Sequence, residues 1–123
     1  MAEENQNFKI AVIIPAYNEG KYLASCLSSL KGQDYRGNYE IIVVDNGSTD
    51  GTAEIARSFG ARLISCPQKG VVLARQKGAS QTEADIIVQT DADSVLPKNW
   101  LSSIASNFKN NRNIVALDRK SDV

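Results

Sequence analysis

Histidine is absent from all 123 residues. That removes triads with a histidine base, histidine zinc sites and imidazole acid–base chemistry, so a metal here must be held by carboxylates and must favour oxygen. Net charge is missing too: fourteen basic and fourteen acidic residues cancel. No electrostatic footprint for a polyanion remains, and no basic stripe with interleaved aromatics, which argues against nucleic acid as a partner. Cysteine is scarce. Cys26 and Cys66 show no metal-binding or redox spacing, and a single disulfide would be unusual in the cytosol, so both are expected reduced and mostly buried. No apolar stretch approaches membrane-spanning length, and Met1 to Lys9 lacks the apolar core of a secretory signal; the expected location is cytoplasmic. No G-x-G-x-x-G follows the first apolar run and no G-K-S/T occurs, which disfavours dinucleotide-binding and P-loop enzymes.

What is present reads as one soluble domain spanning 1–123, with 42% hydrophobic and 23% charged residues. Five short apolar runs predict strands: Lys9 to Ile14, Glu40 to Val44, Arg62 to Ser65, Asp85 to Gln89 and Ile114 to Leu117. Most are rich in Ile and Val without alternation, as strands covered on both faces are. Helical patterns fill the gaps. Leu23, Cys26, Leu27 and Leu30 recur at i, i+3, i+4, i+7, as do Leu101, Ile104, Ala105 and Phe108. Ser48-Thr49-Asp50 offers caps for a helix running to Phe59, with Gly60 placed for a left-handed C-terminal cap. Pro97 suits the first turn of the last helix, and Gly78 interrupts the pattern from Val71 to Thr82. The alternation predicts an α/β fold, a mostly parallel sheet with helices on both faces in three layers.

Ligands of such sheets bind outside the carboxyl ends of the strands. Three of those ends are polar and acidic: Pro15-Ala16-Tyr17-Asn18-Glu19, Asp45-Asn46-Gly47-Ser48-Thr49-Asp50-Gly51 and Thr90-Asp91-Ala92-Asp93-Ser94. Asp91-Ala92-Asp93 is the sharpest signal, because two carboxylates one residue apart at a sheet rim offer hard oxygen ligands to a cation that keeps positions open for phosphates. Other readings accompany each segment. Asn18 can cap a helix, Asp45 can close the turn with Asn46 and Gly47, and Asp50 can cap the helix that follows.

Taken together, Val12-Ile13-Ile14-Pro15-Ala16-Tyr17-Asn18-Glu19, Val43-Val44-Asp45-Asn46-Gly47-Ser48-Thr49-Asp50-Gly51-Thr52, Gly70 with Ala74-Arg75, and Asp91-Ala92-Asp93 resemble the nucleotide-binding half of family 2 glycosyltransferases with the Rossmann-like GT-A fold. The resemblance runs from about Lys9 to about Leu117. It implies a nucleoside diphosphate sugar, UDP- or GDP-linked, as donor, and Mn2+ or Mg2+ as cofactor. It sets Pro15, Ala16, Tyr17 and Glu19 against the nucleoside, Tyr17 with a stacking face and Glu19 as an acceptor for ribose hydroxyls. Asp45 would accept the imino hydrogen of the base, Arg75 would lie near the nucleotide as a contact to phosphate or base, and Ala92 falls within the same site. Of the carboxylates, Asp93 is the metal ligand and Asp91 lies near ribose and metal. Gln76 departs from the asparagine common in the family, and Arg75 can also be read as an exposed helix arginine.

The family inverts the anomeric centre with a carboxylate base lying well downstream of D-x-D. Only Asp118 and Asp122 follow Asp93 here, both in a polar tail, so the base and the acceptor stay unassigned. The expectation is a donor-binding half, truncated on its acceptor side, whose last strand near Ile114 to Leu117 leaves an edge for a second copy or a partner chain to cover. Two alternatives compete. Asp91-Ala92-Asp93-Ser94-Val95 also resembles the signature of haloacid dehalogenase-type phosphatases, with Asp91 as nucleophile, although that motif normally opens its domain. The other is a nucleotide-sugar-binding remnant without turnover.

Overall fold

The computed structural model describes residues 8–110. Strands and helices alternate in the order β1 (Ile10–Ala16), α1 (Leu23–Lys31), β2 (Tyr39–Asp45), α2 (Thr52–Ser58), β3 (Arg62–Ser65), α3 (Val71–Ser80), β4 (Ile86–Gln89) and α4 (Trp100–Asn110). The strands form one parallel sheet in the order β3-β2-β1-β4. The expected run Ile114 to Leu117, with the edge it would form, lies outside the described residues, as do Asp118 and Asp122.

β1 is paired on both sides and covered on both faces, which explains its unbroken apolar sequence. Its alternate side chains feed two cores. Ile10, Val12 and Ile14 pack with Leu23, Cys26, Leu27 and Leu30 of α1, Ala56 of α2, and Leu101 and Ala105 of α4. Ala11 and Ile13 face the other way, with Ile42, Val44, Cys66 and Ala74 of α3. The result is three layers, with α3 alone on its face among the described helices. Each fully buried Ile, Leu or Val contributes about 1.5–3 kcal/mol, so these two faces carry most of the fold's stability. Both cysteines are buried and form no disulfide, and no described helix is long and apolar enough to cross a membrane.

Local chemistry modifies several expectations. Asn18 does not cap α1; it adopts φ 52°, a conformation Asn tolerates, and α1 starts on the Glu19 carbonyl, which accepts from Tyr22 N (3.0 Å) and Leu23 N (2.9 Å). The N-cap of α2 is Gly51, while Asp50 reaches forward to Thr52 N at 3.0 Å. Gly60 behaves as expected: at φ 75° it donates to Arg57 O (3.0 Å) while Ala61 N donates to Ala56 O (3.1 Å), a Schellman closure. Pro97 sits one turn early, its carbonyl accepting from Trp100 N at 3.1 Å.

Gly78 does not break α3; it lets the helix lie against the sheet. A Cβ there would stand 2.9 Å from Ile13 Cγ2 and 3.1 Å from Val44 Cγ2.

Candidate functional site

The end of β4 makes the opening. β1 and β4 pair from Ile10↔Ile86 to Ile13↔Gln89, and the last bond between them is Thr90 N to Ile13 O at 3.1 Å. β1 continues beside β2 alone, from Ile14↔Val43 to Ala16↔Asp45. In a parallel ladder, residues two apart present their backbone groups to the same neighbour. Pro15 therefore faces the space that β4 has left, and having no N–H it leaves no donor unpaired there.

The loops after β1 and β2 are stitched together. Asn18 N donates to Ser48 Oγ (2.8 Å), Glu19 N to Thr52 Oγ1 (2.9 Å) and Gly20 N to Asp50 Oδ2 (3.0 Å), while Asn18 Oδ1 accepts from Thr49 N (2.8 Å). The hydrogen bond from the Thr52 hydroxyl, followed by those from Gly20 and Thr52 N–H, holds the Asp50 carboxyl below its ordinary range. Asn46, which the sequence did not single out, performs the same service between β2 and β3. It is buried, and its Nδ2 donates to Cys66 O (2.9 Å) and Gln68 O (3.0 Å).

The D-x-D segment is a turn, with Ser94 N bonded to Asp91 O at 3.1 Å. α1 and the segment just after it hold this turn: the Cys26 thiol donates to Asp91 O (3.6 Å), Ser29 Oγ accepts from Leu96 N (3.0 Å), and Gln33 Nε2, beyond the helix end, donates to Pro97 O (2.7 Å). Glu19, Asp91 and Asp93 then share a cleft of about 300 Å3 with Pro15, Val71, Gln89 and Ala92, near the lower end of the range for ligand sites. Asp91 is half-buried and Asp93 exposed.

These donors suit a hard divalent cation. Among the described residues no three or more His, Cys, Asp or Glu side chains gather into a metal cage. Mn2+ and Mg2+ fit such a rim, since Mg2+ in particular is commonly held by one or two carboxylates with the remaining positions left to phosphates and water.

The other expected residues are not among those that line the cleft. Asp45, half-buried at the end of β2, accepts Ser48 N at 3.0 Å through Oδ1, which closes the turn and leaves Oδ2 without a partner among the described residues. Tyr17 is 44% exposed, with the Lys69 ammonium 3.9 Å from its ring centre; that contact is a cation–π pair, so a base stacking there would use the opposite face or displace the lysine. The Ala16 side chain is buried in the core and its carbonyl accepts Asn46 N at 2.9 Å. Arg75 is half-buried on α3, its Nη1 3.2 Å from Gln89 Oε1. Gln89 and Val71 are cleft residues that the sequence reading missed. The signal for Gln89 was there: an amide closing an otherwise apolar strand must find partners.

A second cleft, about 400 Å3, lies at the opposite end of the sheet between Lys31, Tyr39, Glu40, Phe59 and Arg62. It is the larger, but its carboxylate is already engaged: Glu40 accepts from Thr82 Oγ1 and lies 3.8 Å from Lys9 Nζ and 3.9 Å from Arg62 Nη1. In parallel sheets the carboxyl ends of the strands carry the ligands, which favours the smaller cleft.

Comparison with known proteins agrees with this geometry. The model of the family described as glycosyl transferase family 2 matches residues 11–122. Glycosyltransferase AglE of Haloferax volcanii is 40% identical over 99 residues, covering 75% of this chain and 33% of AglE. Protein RfbJ of Shigella flexneri is 40% identical over 87 residues, 71% of this chain and 66% of RfbJ. The chain thus spans about a third of the length of AglE. Among solved structures, S. aureus TarS 1-349 in complex with UDP superposes with TM-score 0.78 at 28% identity, over 85% of this chain and 33% of that one. Mannosyltransferase PcManGT from Pyrobaculum calidifontis, in complex with GDP-Man and Mn2+, gives TM-score 0.75 at 29% identity, over 80% of this chain and 32% of its own. With its parallel sheet, its polar rim and a family match over nearly its whole length, the chain belongs to glycosyl transferase family 2 and has the GT-A fold of its N-terminal half.

Proposed function

We propose that this chain is the donor-binding half of an inverting glycosyltransferase that takes a UDP- or GDP-linked sugar together with Mn2+ or Mg2+. One observation carries the reading: Glu19, Asp91 and Asp93, from two separate strand ends, line one cleft at the carboxyl rim of a parallel sheet. In this reading Pro15, Tyr17 and Glu19 flank the nucleoside, Asp45 Oδ2 accepts the imino hydrogen of the base, and Arg75 lies toward the phosphates. Asp93, with Asp91 beside it, would hold the cation. When bound, a cation supplies positive charge where negative charge develops on the departing diphosphate.

The reaction itself asks for little more from this half. An acceptor hydroxyl attacks the anomeric carbon from the face opposite the nucleotide, the bond to the diphosphate oxygen breaks, and the hydroxyl proton passes to a carboxylate base. That base stays unassigned: the family resemblance puts it well downstream of Asp93, and no residue within 8–110 is given the role. The phosphatase alternative finds no support, since the family match and the fold belong to glycosyltransferases. Calorimetric titration of UDP and GDP, with and without Mn2+, tests the proposal on wild type and Asp93→Ala. Binding that depends on Mn2+ and disappears in the variant is expected; equal binding by both proteins defeats the metal assignment.

A further inference from the structure

Gln89 is 3% exposed, lines the cleft with Asp91 and Asp93, and ends a strand that is otherwise Ile86-Ile87-Val88. Its amide has two ends, and Arg75 determines which way they point. A guanidinium only donates, so the end toward Arg75 Nη1, 3.2 Å away, must be the oxygen Oε1. The other end, Nε2, is then a donor whose direction is set by the protein, with no ambiguity of amide orientation.

That nitrogen has no partner within the described residues. Yet none of the buried side-chain nitrogens or oxygens there goes unbonded, so Nε2 must lie on the small surface that Gln89 presents to the cleft. A nearly buried amide, held by an arginine and aimed into a ligand site, is a donor awaiting an acceptor.

We infer that Gln89 is a binding residue of the donor site: Nε2 donates to an oxygen of the nucleotide portion of the bound sugar nucleotide, and Arg75 acts as a positioning residue through Oε1. The inference rests on the nucleotide-sugar reading above and adds to it a specificity element. The ligand atom facing Gln89 must be an acceptor, a carbonyl, hydroxyl or phosphate oxygen, and an ammonium or amide N–H at that point is refused.

Two substitutions separate donation from mere packing. Gln89→Glu keeps an oxygen for Arg75, in fact a charged one, but replaces the donor with an acceptor and adds negative charge beside Asp91. Gln89→Met keeps the length and removes all hydrogen bonding. In calorimetric titrations of the full chain with Mn2+ and UDP or GDP, whichever the wild type binds, Gln89→Glu should weaken binding roughly a hundredfold and Gln89→Met about tenfold. The corresponding sugar nucleotide should lose the same factors.

Gln89→Glu binding as tightly as wild type would overturn the inference, because anchoring Arg75 would then be the whole role of Gln89. A loss confined to the sugar nucleotide would overturn the assignment to the nucleotide portion. Wild-type protein that binds neither nucleotide removes the proposed function and this inference together, whereas nucleotide binding untouched by the substitutions removes this inference alone. Should Gln89→Glu fail to fold, Gln89→Met decides.

Discussion

Replacing Gly78 with alanine sets two effects of opposite sign against each other. Alanine in a helix interior is favoured over glycine by about 1 kcal/mol, so a glycine that merely weakened α3 would be improved by the change. Against this stands the sheet. The added Cβ would lie 2.9 Å from Ile13 Cγ2, 3.0 Å from Ile13 Cδ1 and 3.1 Å from Val44 Cγ2, closer than such atoms pack. Ile13 and Val44 are fully buried and β-branched, with little rotamer freedom for retreat. Overpacking of this kind costs about 1–3 kcal/mol, leaving a net destabilisation of about 1 kcal/mol. For a chain of 123 residues that lowers Tm by roughly 4 °C. Thermal unfolding of wild type and Gly78→Ala, followed by far-UV circular dichroism, measures the shift. An unchanged or raised Tm would refute the close packing of α3 on β1 and β2.

Two further substitutions probe the loops. Asp50 has a folded-state pKa depressed chiefly by the Thr52 hydroxyl, so its contribution to stability is present above the ordinary value of 3.8 and is lost as pH falls through the lower folded value. Asp50→Asn should therefore melt below wild type at neutral pH, with the gap closing under acid conditions; a gap that widens in acid would reverse the sign of the argument. Asn46→Ala removes the donors to Cys66 O and Gln68 O and should cost about 1–3 kcal/mol in urea unfolding, with Asn46→Asp costing more because a carboxylate would face those carbonyls. Wild-type stability in both Asn46 variants would show that the link between β2 and β3 is dispensable.

Much of the fold is legible in the sequence because its signals are local. Runs such as Ile41-Ile42-Val43-Val44 have no better place than the middle of a covered sheet, and Gly60 follows its helix where a left-handed residue closes the last turn. The polar strand ends were legible for the same reason, since topology sends all carboxyl ends of parallel strands to one rim. What escaped depends on partners distant in sequence. Gly78 reads as a helix interruption until Ile13 and Val44 are seen against it. Asn18 reads as a cap until its side chain is found on Thr49 N. Gln89 is an unremarked strand residue until Arg75 orients its amide.

The central claim is that the carboxyl rim of the sheet is the donor and metal site, and Mn2+ can report its own position. In 1H–15N spectra of the labelled chain with UDP or GDP, substoichiometric Mn2+ broadens amides near the ion through its unpaired electrons. The account predicts broadening centred on Asp91 to Ser94 and extending to Glu19, with Asp93→Ala abolishing it. Broadening centred on Lys31, Glu40 and Arg62, at the opposite end of the sheet, would contradict it.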